Sequence, residues 1–207
     1  MLKASIKELN HLLGNIDIYL LDQILKARFD KKFKILDAGC GEGRNLIYFI
    51  RNDYDVWGID KNEDAIQMLK YIVKSIDKAY PLNRFIAGDA ENMPYQDHFF
   101  NAIISSAVLH FSENKNHFLS MLSELIRVLK PGGILFLRMT TNVGIEKKIK
   151  SVGDGKFLLP DSSVRFLLDE ELLHEIKGHF GFEFLEPFKT VIVDNMRSMS
   201  TLVMKKS

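Results

Sequence analysis

The sequence predicts an α/β fold, in which a doubly wound, mixed and mostly parallel sheet carries helices on both faces. Short apolar segments alternate with amphipathic helical segments from residue 32 to residue 139, and this alternation is typical of a parallel sheet. Residues 182–206 show two strand-like segments in succession, with a short turn around Asn195. A C-terminal hairpin of this kind adds one antiparallel strand, so the predicted sheet is mixed.

The composition is that of a globular protein. The 207 residues are 46% hydrophobic and 27% charged, which excludes a disordered chain. The 28 basic and 27 acidic residues leave a net charge of +1, so we predict neither nucleic acid nor a membrane as a partner. Cys40 is the only cysteine and no apolar stretch has membrane-spanning length, so we predict a cytoplasmic protein. We predict one domain over 1–207, with a helical cap in 1–30; the oligomeric state stays open.

The individual elements follow from periodicity and from helix-ending residues. The helix after the second strand is the clearest, because Asn62 can cap it and apolar residues follow on one face. Pro131-Gly132-Gly133 is expected to end another strong helix. The predicted elements are, in order, a helix in 16–29, a strand in 32–40, a helix at 46–50, a strand at 54–59, a helix at 62–76, strands at 83–87 and 99–105, a helix at about 114–130, a strand at 134–139, a helix opened by Asp169-Glu170-Glu171, and the two terminal strands.

Residues 141–168 have a different character. They lack a sustained period and contain four helix- or strand-breaking residues, Gly144, Gly153, Gly155 and Pro160. We predict a long irregular segment, and loops of that length in a compact domain are usually functional. Because Phe157 and Phe166 lie within it, we interpret the segment as an acceptor-site insertion.

The residues that carry the chemistry lie in DAGCGEGRN, residues 37–45, between a predicted strand and a predicted helix. Gly39, Gly41 and Gly43 permit a tight turn and a close approach of a ligand to the backbone. The following helix offers free N–H groups at its start. Asp60 ends the next strand, where a carboxylate can accept hydrogen bonds from both hydroxyls of a ribose. The sequence therefore predicts a cofactor that contains a nucleoside.

Two common nucleotide motifs do not match. The dinucleotide motif needs a glycine at the sixth position counted from Gly39, and Arg44 stands there. The P-loop motif needs a Lys-Ser or Lys-Thr pair after the glycines, and the sequence has none there. Glu42 also brings a negative charge, which disfavours phosphates.

Five spaced segments together resemble the class I S-adenosylmethionine-dependent methyltransferases, a Rossmann-like family. They are ILDAGCGEGRN, GIDKN, GDAENMPY, FNAIISSAVLHF and LKPGGILFLRM, and they span residues 35–139. The GRN turn is similar to that of small-molecule enzymes of the tellurite-resistance type. The resemblance implies S-adenosyl-L-methionine as cofactor and S-adenosyl-L-homocysteine as product.

The resemblance also implies roles for individual residues. Gly39, Cys40 and Gly41 would approach the methionine part of the cofactor, and Asp37 would fix that turn and reach the amino group. Asp60 would hold the ribose, with Lys61 beside the adenine. The other implied cofactor contacts are Asp89 and Ala90 at the adenine edge, Ser105 and Ser106 near the methyl group, and Tyr19, Arg44 and Asn45.

Several interpretations stay open at this stage. Arg44 either pairs with the cofactor carboxylate or lies on a helix surface, and His110 is either a general base or a structural histidine. Tyr19 is more typical of a core aromatic, and Cys40 of a packing residue than of a nucleophile. No histidine has a second ligand at metal-site spacing, so we predict no metal.

The acceptor is predicted to be a small molecule. Enzymes that methylate DNA amines or glutamine side chains typically carry Asn- or Asp-Pro-Pro-Tyr/Phe after the fourth strand, where this chain has Ser105-Ser106-Ala107-Val108. Two alternatives remain, a non-catalytic S-adenosylmethionine-binding protein and a nicotinamide-dependent oxidoreductase, and Arg44 argues against the second.

Overall fold

The computed structural model describes residues 5–207, which form two compact units. The first unit ends at Ala90, and the second covers Glu91–Ser207. Residues 1–4 of the predicted N-terminal cap lie outside the described residues. None of the helices in 5–207 has the length and apolar character that crossing a membrane requires.

The first unit alternates helices and parallel strands. Its elements are α1 (Ile6–Leu13), α2 (Ile18–Leu25), β1 (Lys34–Ala38), α3 (Ile47–Arg51), β2 (Asp55–Asp60), α4 (Glu63–Ile76) and β3 (Phe85–Ala87). The three strands pair in the order β1-β2-β3, and both pairs are parallel. Asp37 lies opposite Gly58, and Asp60 lies opposite Ala87, so the carboxyl ends of the strands meet at one edge.

The helix α4 forms as its sequence predicts. The Asn62 side chain accepts hydrogen bonds from the backbone N–H groups of Asp64 and Ala65, at 3.0 and 3.1 Å, and so caps the first turn. Ile66, Leu69 and Val73 follow at helical spacing and are buried. The cap and the apolar face are therefore both confirmed.

The second unit contains a mixed sheet. Its elements are β4 (Phe100–Ser106), α5 (Lys115–Val128), β5 (Leu129–Thr140), β6 (Lys150–Gly153), β7 (Lys156–Leu158), β8 (Val164–Phe166), α6 (Glu170–His179), β9 (Phe182–Phe184), β10 (Lys189–Val193) and β11 (Arg197–Lys206). The strands β4 and β5 are parallel, whereas β11 is antiparallel to β5, β9 and β10. A turn with Asp194 and Asn195 at φ +49° and +56° joins β10 to β11. The predicted hairpin is confirmed as β10 and β11, and β11 is the predicted antiparallel strand. The first of the two predicted terminal strands is divided into β9 and β10.

The helix α5 ends before Pro131-Gly132-Gly133, as predicted, but β5 begins earlier than the predicted 134–139. The helix α5 ends at Val128, and β5 begins at once and runs through these residues. Between the pairs Phe100–Leu129 and Ala102–Ile134 the register shifts, because β5 advances by five residues while β4 advances by two. The Pro-Gly-Gly segment is therefore accommodated as a bulge in a strand.

The segment 141–168 is also more ordered than predicted. It contains the antiparallel sheet β6-β7-β8, which we call the meander. Buried Ile145, Leu159 and Leu167 form its apolar core, with Phe157 packed against them. The strands are three or four residues long, and the turn between β6 and β7 uses Gly153 and Gly155. Strands this short show no recognisable period in the sequence.

Candidate functional site

The glycine turn after β1 is held by hydrogen bonds to β2. The backbone N–H groups of Gly39 and Cys40 both donate to the carbonyl of Ile59, at 2.8 and 3.1 Å. Gly39, Gly41 and Gly43 have φ of +82°, +51° and +82°, a region that other residues rarely adopt. The turn therefore depends on glycine at these three positions.

Asp60 links the glycine turn to the segment that follows β2 by hydrogen bonds. Its Oδ2 accepts from the Gly41 N–H at 2.7 Å, and its Oδ1 accepts from the Asn62 N–H at 2.9 Å. Its backbone carbonyl accepts from the Gly88 N–H at 3.0 Å. Each carboxylate oxygen can accept more than one hydrogen bond, so Asp60 keeps capacity for a ligand hydroxyl.

Asp37 is buried beneath the same turn. It is 1% exposed, and its Oδ2 has no hydrogen-bond partner among residues 5–207. The pKa of Asp37 is raised to about 7, because burial and, to a smaller extent, the negative charge of Asp60 outweigh the lowering by the positive charge of Arg44. A buried carboxyl oxygen without a partner is costly, and a cationic or N–H group from a ligand would satisfy it.

Cys40 and Gly41 shape the surface of the turn. Burial raises the pKa of the Cys40 thiol above its usual range, which keeps the thiol protonated and supports the packing interpretation. A Cβ placed on Gly58 would lie 2.8 Å from Cys40 Sγ, so the thiol fills space against β2. A Cβ placed on Gly41 would meet no described atom within 4 Å, so the turn faces open space there.

Asp17 contacts three of the residues predicted to bind the cofactor, namely Tyr19, Arg44 and Asn45. It was not itself predicted from the sequence. This buried residue caps α2 by accepting from the Tyr19 N–H at 2.9 Å. Its own N–H donates to Asn45 Oδ1 at 3.0 Å, and its carboxylate lies 3.6 Å from the Arg44 guanidinium. An Asp directly before an apolar helix is an N-cap signal, and that signal was present in the sequence.

The contacts with Asp17 show where Arg44 and Asn45 lie in the first unit. The Arg44 guanidinium reaches back to the segment before α2, and the buried Asn45 holds the same segment to the turn. The Tyr19 side chain is half-buried. Their cofactor contacts stay predictions.

The remaining predicted residues of the first unit lie at the ends of β2 and β3. Lys61, directly after Asp60, is exposed. Asp89 is exposed, and Ala90 is 8% exposed. These residues follow β2 and β3, whose carboxyl ends meet at one edge of the sheet. Their predicted position beside the adenine requires such an edge.

In the second unit, β4 ends at the two predicted serines. Ser105 is fully buried, and its hydroxyl has no hydrogen-bond partner among the described residues. Ser106 is 8% exposed and lies opposite Arg138 on β5. The next residue, Ala107, has φ +64°, an unfavourable conformation for a residue with a side chain. Such local strain is often found at functional sites.

His110 lies in the 3-10 turn Leu109–Phe111 and is 4% exposed. Its Nδ1 is 2.9 Å from the hydroxyl of Thr140, at the end of β5. The pKa of His110 is lowered to about 4, first by burial and then by the positive charges of Arg165, Arg197 and Arg138. His110 is therefore neutral at pH 7, as a hydrogen-bond acceptor or general base must be.

Comparison with known proteins identifies the class to which this fold belongs. A methyltransferase-domain family model matches residues 36–137, about half of the chain. The chain is 29% identical to the uncharacterized methyltransferase YodH of Bacillus subtilis over 73% of the chain and 60% of that protein. It is 35% identical to a tRNA (carboxymethyluridine(34)-5-O)-methyltransferase of Arabidopsis thaliana over 50% of the chain and 23% of that protein.

The solved structures agree on the fold. The magnesium protoporphyrin IX methyltransferase of Synechocystis PCC 6803, solved with bound SAH, matches with a TM-score of 0.71 at 17% identity, over 99% of this chain and 89% of that one. The predicted doubly wound, Rossmann-like mixed sheet is thus confirmed. The chain belongs to the class I S-adenosylmethionine-dependent methyltransferases. It spans between about a quarter and three fifths of the length of the two curated relatives named above.

The residues of the first unit fit the cofactor of this family, S-adenosylmethionine. The orphaned Oδ2 of Asp37 and the open space over Gly41 are what a bound cationic ligand would fill. Family membership also argues against the nicotinamide alternative. Among residues 5–207 no group of three or more His, Cys, Asp or Glu is arranged to hold a metal ion.

Proposed function

We propose that the protein transfers a methyl group from S-adenosylmethionine to a small-molecule acceptor by direct in-line displacement. The first unit would bind the cofactor, and the second would bind the acceptor. The single observation that carries the cofactor assignment is the unpartnered, buried Oδ2 of Asp37 beneath the open glycine turn. When bound, the cofactor supplies an activated methyl group on a sulfonium sulfur.

The residues of the first unit bind and orient the cofactor. Asp37 accepts a hydrogen bond from its cationic amino group, directly or through a water molecule. Asp60 accepts from the ribose hydroxyls with the lone pairs that Gly41 and Asn62 leave free. Asp89, with the backbone of Ala90, recognises the adenine edge.

The residues of the second unit receive the acceptor. Ser105 and Ser106 border the methyl group, and His110 removes a proton where the acceptor has one to lose. Thr140 holds the ring of His110 through Nδ1, which leaves Nε2 for the acceptor. The segment 141–168 excludes water from the reacting atoms.

A small molecule is favoured over RNA because the basic residues are scattered along the sequence and are nearly balanced by acidic ones. The counts are 28 basic and 27 acidic residues, and RNA binding without a basic track would be weak and strongly dependent on salt. The second candidate is a tRNA acceptor, because the matching Arabidopsis thaliana protein is a tRNA methyltransferase.

The test uses S-adenosylmethionine with a labelled methyl group. Calorimetry first measures binding of S-adenosylmethionine and S-adenosylhomocysteine, and NAD serves as the control ligand. The protein and the labelled cofactor are then incubated with a metabolite extract and, separately, with total tRNA. Label in a small molecule supports the proposal, and label only in tRNA supports the second candidate. Cofactor binding with no transfer in either arm indicates a non-catalytic binding protein.

A further inference from the structure

Arg165 occupies an unusual position for a cation in the meander. On β8 it lies opposite Phe157 on β7, so the two side chains share one face of the meander. Phe157 packs against the buried apolar core of the meander, including Leu167. Arg165 is itself half-buried, and its Nε is buried, where a polar group is costly unless it has a partner.

The hydrogen bonds of Arg165 do not account for that position. One guanidinium nitrogen donates to the carbonyl of the adjacent Val164 at 2.7 Å. Its Nε is buried and has no partner among residues 5–207, although a guanidinium carries five N–H donors. Its central carbon lies 4.8 Å from the ring centroid of Phe111, which is 58% exposed. The contact with this exposed ring leaves the buried Nε donor unsatisfied.

Two further arginines contribute positive charge to the same place. Arg138 lies two residues before Thr140 on β5, so it shares a strand face with the partner of His110. Arg197 begins β11 and donates from its Nε to Asp161 at 2.8 Å. Asp161 therefore offsets Arg197, whereas no carboxylate in the described residues pairs with Arg165.

The lowered pKa of His110 is a second indication of positive charge at this place. After burial, its largest causes are the positive charges of Arg165, Arg197 and Arg138. The ring of His110 contacts that of Phe111 edge to face, with centroids 4.5 Å apart, and Phe111 in turn lies against Arg165. A positive field thus surrounds the histidine that is proposed to face the acceptor.

We propose that Arg165 binds an anionic group of the methyl acceptor, so that the acceptor is a small carboxylate or phosphate ester. This inference rests on the proposed function, because it names the substrate class of that site. An anion would satisfy the buried Nε of Arg165 and would pair with its charge, and a planar guanidinium suits either group through two parallel hydrogen bonds.

The test measures anion binding directly, without turnover. Inorganic phosphate and acetate are titrated separately into the full chain, and the ring resonances of His110 are followed by NMR. We expect saturable shifts and a rise in the pKa of His110, because a bound anion offsets the arginine charges. Arg165→Gln should weaken binding about tenfold or more, and Arg165→Lys should weaken it less. Tighter binding of phosphate than of acetate would identify a phosphate ester, and the reverse a carboxylate.

The control is Arg51→Gln, a matched substitution at the end of α3 in the first unit, which should leave anion binding within about twofold of the unmodified protein. Circular dichroism establishes that each variant is folded. The absence of saturable binding, or equal affinity in Arg165→Gln, would overturn the inference. Tighter, Arg165-dependent binding of a short RNA would overturn it in favour of a polyanionic acceptor. Anion binding without S-adenosylmethionine binding would leave the anion site in place and remove the proposed function instead.

Discussion

The glycine turn of the first unit and the meander of the second unit are built by different means. In the turn, backbone N–H groups and the carboxylate of Asp60 form the structure, and the participating residues are close in sequence or follow successive strands. In the meander, side chains from separate strands and a 3-10 turn come together, as Arg165 and Phe111 do. The first kind of site leaves a motif in the sequence, and the second does not.

Replacing residues 151–158 of the meander with a Gly/Ser linker should have the largest effect. Most of β6 and β7 would be lost, while buried Leu159 would remain. Under the proposal that 141–168 forms the acceptor pocket, turnover with labelled cofactor should fall below detection. The affinity for S-adenosylmethionine, measured by calorimetry, should stay within a few-fold. Retained turnover would contradict the role of the meander, and an equal loss of cofactor affinity would assign it to the cofactor site.

Asp60→Ala should have the next largest effect, and it tests the glycine turn of the first unit. The variant loses the bonds to the Gly41 and Asn62 N–H groups together with the proposed ribose contacts. Two charge-assisted hydrogen bonds are worth about 1.5–3 kcal/mol each, so cofactor affinity should fall by about 100-fold or more. Calorimetry measures this loss. Asp64→Ala, an exposed acid in the first turn of α4, is the matched control and should bind normally.

The extent to which the sequence predicted the structure follows the same division. Asn62, Asp60 and the glycine turn were predictable because capping, strand ends and positive φ each demand particular residue types. The bulge at Pro131-Gly132-Gly133 was not, because Pro and Gly disfavour a strand and it is the pairing of β5 with β4 that holds them in one. Arg165 gave no signal either, because the partners that define its surroundings lie far away in the sequence.

Asp37→Asn should separate the stability of the first unit from its function. The pKa of Asp37 is about 7 when folded against an ordinary 3.8, so the folded state binds its proton more tightly. The stability that this proton contributes is complete below about pH 4 and is lost as the pH rises to about 7. The variant should therefore have a higher Tm than the unmodified protein at pH 8, and a nearly equal one at pH 4.

The same substitution should weaken S-adenosylmethionine binding about tenfold at pH 8, because the carboxylate is lost as an acceptor. In the unmodified protein, binding at pH 6 should release a proton, since a cationic ligand lowers the pKa of Asp37. Calorimetry in buffers with different ionisation enthalpies measures that release, which should vanish in Asp37→Asn. Proton release that persists in the variant would show that another group titrates on binding.

Substitution of His110 should have the smallest effect. His110 is the counterpart of Asp37 in the second unit, because each is a buried group with a shifted pKa. Its pKa is lowered from 6.5 to about 4, so as the pH falls the unfolded chain takes up the proton before the folded one does. The contribution of His110 to the free energy of unfolding is therefore complete above about pH 6.5 and is lost by about pH 4, and it amounts to roughly 3 kcal/mol. Urea unfolding between pH 7 and pH 4 should show a shallower loss of stability in His110→Gln. His11→Gln, at an exposed histidine of α1, should follow the unmodified protein. An unchanged slope in His110→Gln would mean that the ring ionises freely, and the positive field around it would then be too weak to recruit an anion.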